Sequence, residues 1–230
     1  MKIKTRSGSH ETQREWVYHR IRLDLIAGRY QPGEKITIAQ LTASLGVSMT
    51  PVREALRRLA AERGLETNPN RTVVVPKLSL EEVLVVRRIR EQLEGYTACL
   101  AARNITKAQL ARLARIGKDL AAARARADAR RIMRLNEAFH FTLYEAAGVR
   151  VLTDIIATLW LRSAPTLNLV FRSENIGRYP HAEQNCHNQA LLRALRVRDG
   201  RAAARAVAAE IAVGSRLLGR LTAPERRAKI

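Results

Sequence analysis

The stretch that most restricts the fold is "TIAQLTASLGVSMTPVREALRRL", residues 37–59. Thr37 precedes an apolar-periodic run and has Gln40 three residues on, so each side chain can bond the other residue's amide in a capping box. Ile38, Leu41 and Leu45 form one apolar face, and Gly46 stops the helix. A second start follows at once. Ser48 stands at a cap position, and Pro51 is tolerated because first-turn amides lack intrahelical partners. Val52, Ala55, Leu56 and Leu59 then recur at helical spacing and face inward, leaving Met49, Thr50, Arg53 and Arg57 on the opposite side. Two short helices across a glycine turn, the second cationic and polar outside, form a helix-turn-helix layout.

The flanking sequence completes a module. "REWVYHRIRLDLIAGRY" carries Val17, Ile21, Leu25 and Ile26 at helical spacing with Trp16 beside them, and is closed by Gly28. "QPGEK" reads as a turn. After Gly64, Leu65–Thr67 and Thr72–Val75 read as strands around a turn with Asn68, Pro69 and Asn70, a hairpin placed as a wing with Asn70 and Arg71 at its tip. The residues expected to meet DNA are Thr37, Ser48, Met49, Thr50, Arg53, Arg57, Asn70 and Arg71. A helix N-terminus suits phosphate, and an arginine one turn in can reach a guanine edge with two hydrogen bonds. For Arg57 and Arg71, base reading and plain phosphate or solvent contact both stay open.

The net charge of +20 in 230 residues agrees with a polyanionic partner, although the arginines are spread along the chain. Hydrophobic residues make up 47% and aromatic residues 4%, which allows a sizeable core built by helix formers. No run of about 18 apolar residues spans a membrane, and "MKIKTRSGSHETQRE" lacks the apolar core of a secretory signal. Cys99 and Cys186 lack metal spacing, so reduced thiols and a cytoplasmic location are expected.

Residues about 77–222 read as an all-α antiparallel bundle of about six helices. Ser79 and Glu82 form a capping box for a long helix marked by Val83, Val86, Ile89, Leu93, Ala98 and Ala101. Thr106 caps the next helix. "ARRIMRLNEAFHFTLYEAAG" follows, and "RVLTDIIATLWLRSAPTLNLVF" gives one or two helices divided at Pro165. A polar loop, "RSENIGRYPHAEQ", leads to the last two helices, and the tail "TAPERRAKI" is expected to be loose. Asn136 and His140 share one helix face, Asn188 lies on a face with Leu191, Leu192 and Leu195, and Glu210 interrupts an alanine-valine run. Buried without partners, each would cost a few kcal/mol, so they form a ligand or metal site or a satisfied internal network.

The words "IRLDLIAGRYQPGEKI", "LTASLGVSMTPVREALRRLAAERGL" and "NRTVVV" resemble the GntR family of bacterial transcription factors. "IREQLEGYTACLAAR", "LNEAFHFTLYEAAG" and "ALRVRDGRAAARAVAAEI" resemble the ligand-binding FCD domain of its FadR subfamily. The resemblance implies a winged helix-turn-helix over residues 10–76, an effector-binding and dimerisation domain over 77–222, and a homodimer that binds double-stranded operator DNA and is released by a small carboxylate. Met49 stands where the family commonly has arginine and Thr72 where it has a wing-tip glycine, so the operator is expected to differ from the usual site.

Many such domains hold a divalent metal with Asp-x-x-x-His and two further histidines. The corresponding positions here are Asn136, His140, Asn188 and Glu210, with His187 beside the third. Amides are weak ligands for transition metals, so no tightly held metal is expected; a weak one would use His140, Glu210 and His187. Arg90 can offer a carboxylate-pairing fork, or pair with Glu94 one turn on. Two other classes are a metal-dependent bundle enzyme, for which paired Glu-x-x-His motifs are missing, and a non-specific DNA-coating protein.

Overall fold

A computed structural model describes residues 12–67, 72–168 and 180–222. Helix α1 (Gln13–Ile26) starts at a capping box between Thr12 and Glu15 and buries Val17, Tyr18, Ile21, Leu25 and Ile26; Trp16 is exposed. Strand β1 (Lys35–Ile36) leads into α2 (Ile38–Leu45), whose Thr37–Gln40 capping box is formed as expected. Gly46 ends α2 with φ of 66°, a left-handed conformation that favours glycine. Helix α3 (Met49–Ala61) buries Val52, Ala55, Leu56 and Leu59 against this small core.

Strands β2 (Glu66–Thr67) and β3 (Val73–Val74) form the wing and are shorter than the sequence suggests. Residues 68–71, and with them Asn70 and Arg71, lie outside the described residues. The "QPGEK" segment is not only a turn. Its Lys35 enters β1, which pairs antiparallel with β3 in the register Lys35↔Val74 and Ile36↔Val73, giving the sheet order β1-β3-β2. Bonds from Gly33 N to Val75 O (2.8 Å) and from Val75 N to Glu34 O (2.9 Å) extend the pairing. An isolated two-stranded hairpin is marginal in water, and this third strand ties the wing to the helices.

Six helices follow among the described residues: α4 (Leu80–Asn104), α5 (Lys107–Ala125), α6 (Ala129–Ala147), α7 (Arg150–Leu167), α8 (His181–Arg196) and α9 (Gly200–Thr222). The Ser79–Glu82 box opens α4 and a Thr106–Gln109 box opens α5. Helix α4 packs on α9, α6 and α7, and α5 bridges α6 and α8. Pro165 does not divide α7: the helix runs through it to Leu167. Part of the expected polar loop, from His181, is already helix α8. Ile89 does not face the core; it is 43% exposed.

The winged module rests on the bundle. Asn168, after α7, donates from Nδ2 to Ile26 O at 2.6 Å. Arg22 of α1 lies 3.7 Å from Glu137 and 5.4 Å above the Phe141 ring, both on α6. Gly64 lets the turn after α3 approach Leu161: a Cβ there would sit 2.2 Å from Leu161 Cδ2.

Candidate DNA-reading face and buried polar centre

The outer face of α3 is built by what its inner face buries. With Val52 and Leu59 fully buried, Met49, Thr50, Arg53 and Arg57 are exposed together. Ser48 has the extended backbone of an N-cap residue, but its hydroxyl makes no capping bond, so the side-chain cap read from the sequence is not formed and the hydroxyl stays available to an outside partner. Arg58 is held differently: its guanidinium lies 3.7 Å above Tyr18 and its Nε donates to Glu62 at 3.0 Å. The Tyr18 hydroxyl donates to the same Glu62 at 2.6 Å, and burial with this carboxylate pushes it up to about 12. Glu54 is drawn to Arg14 at 3.1 Å. The acids near α3 are thus engaged elsewhere, leaving Arg53 and Arg57 as outward cations. The Thr37 hydroxyl is occupied by Gln40.

The bundle encloses a polar centre. The Glu94 carboxylate, fully buried, accepts from Arg90 Nε (2.7 Å), Trp160 Nε1 (2.9 Å) and the Tyr144 hydroxyl. Arg90 also lies 4.6 Å above the Trp160 ring. Its ion pair with Glu94 is therefore formed. Tyr144 Oη is 3.1 Å from His140 Nδ1, and His140 Nε2 is 3.1 Å from Glu210 Oε2. Burial would raise the Glu210 carboxyl, but His140, then Arg124 and Arg90, outweigh it and hold it at about 2. Burial and Glu94 push the Tyr144 hydroxyl well above its ordinary range.

Of the four positions singled out in the sequence, His140 and Glu210 meet directly. Asn136 Oδ1 instead accepts from Arg124 Nη2 at 3.4 Å. Asn188 is buried on α8, and its Nδ2 has no hydrogen-bond partner. His187 does not join them: it lies 3.6 Å from Glu183 on its own helix, partly exposed. Among the described residues no three His, Cys, Asp or Glu side chains gather as a metal site. The residues present do not fit a divalent ion. The two strong donors face each other, one amide oxygen faces a guanidinium, and an amide N–H and two buried arginines oppose a cation.

Sequence reasoning missed Arg124, Tyr144, Trp160 and Gln184. The Trp160 indole and Tyr144 hydroxyl offered a signal, since such groups find partners when buried. Arg124 offered little, lying in the alternating run "AAARARADARR".

These features place the chain among two-domain, helix-turn-helix transcriptional regulators that bind DNA. Residues 13–75 match the bacterial regulatory proteins of the gntR family and residues 85–212 match the FCD domain, and the chain belongs to this family. It is 31% identical over 175 residues to the HTH-type transcriptional regulator McbR of Escherichia coli (strain K12), covering 76% of this chain and 78% of the relative. It is 26% identical over 159 residues to the HTH-type transcriptional repressor RspR of the same organism, covering 69% and 70%. The solved structure of E. coli McbR/YncC superposes with a TM-score of 0.85 at 27% identity, covering 91% of this chain and 98% of that one. A putative GntR regulator from Rhodococcus sp. RHA1 shares the fold at a TM-score of 0.70 and 20% identity, covering 90% and 98%. The family consists of regulators, not enzymes. Among the described residues no helix is long and apolar enough to cross a membrane.

Proposed function

We propose that the protein is a dimeric, cytoplasmic repressor of the FadR subfamily, with a DNA-binding module over residues 10–76 and an effector domain over 77–222, that leaves its operator when a small carboxylate enters the effector domain. The observation that carries this reading is the outward face of α3, where Ser48, Thr50, Arg53 and Arg57 stand exposed at the start of a helix whose neighbouring acids are engaged elsewhere. Arg53 reads a base edge, while Ser48 and Thr50 take phosphate or base contacts. Thr37 and Met49 flank this contact, and Asn70 and Arg71 join the proposed DNA-contacting set from their place in the sequence.

A dimer is supported by α4. Val85, Ile89 and Tyr96, spaced four and seven residues apart, form an exposed row on one of its faces, which a second copy would cover. Two modules held by such a dimer would meet two half-sites about one helical turn apart. The effector reading draws on Arg90, Asn136, His140, Asn188 and Glu210, all carried by helices around the buried centre. Selection of bound fragments from sheared genomic DNA, followed by competition with small carboxylates, tests the proposal. Enrichment of one palindromic site, released by a carboxylate, is the expected outcome. Uniform recovery of all fragments would point to a DNA-coating protein instead.

A further inference from the structure

A cleft of about 660 Å³ opens between the winged module and the bundle, one wall from α1 and the residues just after it, the other from α6. Sites for small metabolites run to roughly 300–1,000 Å³, so this one is large enough. Among the described residues, none of Arg90, Glu94, His140 and Glu210 of the polar centre lines it. On α6, Arg130, Arg134 and Glu137 follow at spacings of four and three and share one face. Arg130 thus lies about 10 Å from Glu137 along the helix axis. Arg20, Leu23 and Asp24 of α1, with Arg29 after it, form the facing wall.

The charges in the cleft do not balance. Asp24 accepts from both Arg20 Nε (3.3 Å) and Arg29 Nη1 (3.0 Å), so one carboxylate orients two guanidiniums. Each guanidinium carries five N–H donors, and most of these stay open to a ligand. Arg130 and Arg134 are exposed and meet no carboxylate among the described residues. The start of α6 adds first-turn amides, which also favour an anion. Glu137 is 8% exposed and accepts no hydrogen bond among the described residues, with Arg22 3.7 Å away. A buried carboxyl without a donor marks a place for one. Leu23, 44% exposed, and the half-buried Met133 supply apolar surface in the same cleft.

We propose that this cleft binds a phosphorylated metabolite, its phosphate held by the arginines of the cleft and its polar body giving a hydroxyl or amino N–H to Glu137. Four guanidiniums against two carboxylates favour an anion of high charge, and the guanidinium fork matches phosphate geometry. A DNA backbone offers the same phosphates but no donor for a buried carboxyl, which favours the small molecule. The two walls belong to different modules, so the ligand bridges them, and its affinity depends on how α1 stands against α6. The site is separate from the effector site read in the polar centre, and either can fail alone.

The test uses the full chain and titrates guanosine 5′-monophosphate, glucose 6-phosphate, glucose and inorganic phosphate by calorimetry at fixed ionic strength. One of the two phosphorylated probes is expected to bind once per chain, about tenfold or more tightly than inorganic phosphate, with glucose silent. Arg130→Gln combined with Arg134→Gln should weaken it about tenfold or more. Arg112→Gln combined with Arg115→Gln removes the same charge from exposed positions of α5 outside the cleft and should leave binding unchanged. Glu137→Leu should bring the organic phosphate down to the affinity of inorganic phosphate. Equal loss in the two arginine pairs would overturn the site in favour of bulk attraction to a chain of charge +20. Failure of both phosphorylated probes to outbind inorganic phosphate at millimolar concentration would overturn it too. So would loss of random-DNA affinity in the Arg130 and Arg134 variant with phosphate binding unchanged, which would give these arginines to the DNA backbone. Unaltered binding in Glu137→Leu would overturn the assignment of Glu137 as the acceptor.

Discussion

Glu137→Gln should stabilise the protein at alkaline pH and change little in acid. Glu137 projects from α6 towards α1 and is 8% exposed. Its nearest cation, Arg22, is 3.7 Å away, beyond hydrogen-bond length. Arg20, Asp24, Arg29, Arg130 and Arg134 line the same cleft of about 660 Å³ between the two helices. Burial pushes the Glu137 carboxyl up to about 7 from an ordinary 4.5, against the weaker pull of Arg22. A carboxyl raised in the folded state binds its proton more tightly there, so stability is fully present below about 4.5 and declines as pH rises through about 7. The rise from 4.5 to about 7 corresponds to about 3 kcal/mol at most. Glutamine resembles the protonated acid at every pH. The variant should therefore gain about 1–3 kcal/mol at pH 8, a few degrees in Tm for a chain of this length, and nearly nothing at about pH 4. Thermal or urea unfolding at the two pH values measures this. Loss of stability at pH 8 in the variant would refute the reasoning and show that the Arg22 ion pair outweighs the cost of burial.

Three further outcomes can be checked. Gly64→Ala places a methyl 2.2 Å from Leu161 Cδ2 and should cost about 1–3 kcal/mol in urea unfolding, and much less when it is introduced into Leu161→Ala and compared with that variant alone. Phe139→Ala removes a fully buried ring between α5 and α6 and should cost about 3–5 kcal/mol by the same assay. A flexible Gly/Ser insert after Lys77, between the buried Pro76 and Leu78, should leave operator binding intact in gel shifts while abolishing its release by effector; an unchanged response would show that coupling bypasses this connection.

What could be read in advance were the signals carried within a few residues. The boxes Thr37–Gln40 and Ser79–Glu82 start helices where their spacing says they should, and the inward set Val52, Ala55, Leu56, Leu59 fixes by exclusion which side of α3 faces out. Strand β1 escaped because two residues carry no periodicity and its partner, Val73–Val74, is far along the chain. Pro165 misled because a proline can weaken or bend a helix without ending it, and α7 runs on to Leu167. In the polar centre, His140 and Glu210 stood out against apolar neighbours and do meet. The partner of Arg90 was one of two open readings, and packing against Trp160 and Tyr144 selected Glu94. Arg124 was invisible because Gln184 and Asn185, whose side-chain oxygens accept from it, come from α8 about sixty residues later.

The measurement that bears most directly on the central claim is the affinity of Arg53→Ala for operator and for random DNA at matched salt. If Arg53 reads a base edge from the exposed face of α3, operator binding should weaken by about 1–3 kcal/mol, roughly five- to 150-fold, while binding to random DNA stays nearly intact. An equal loss on both would contradict base reading and move Arg53 to the phosphate contacts.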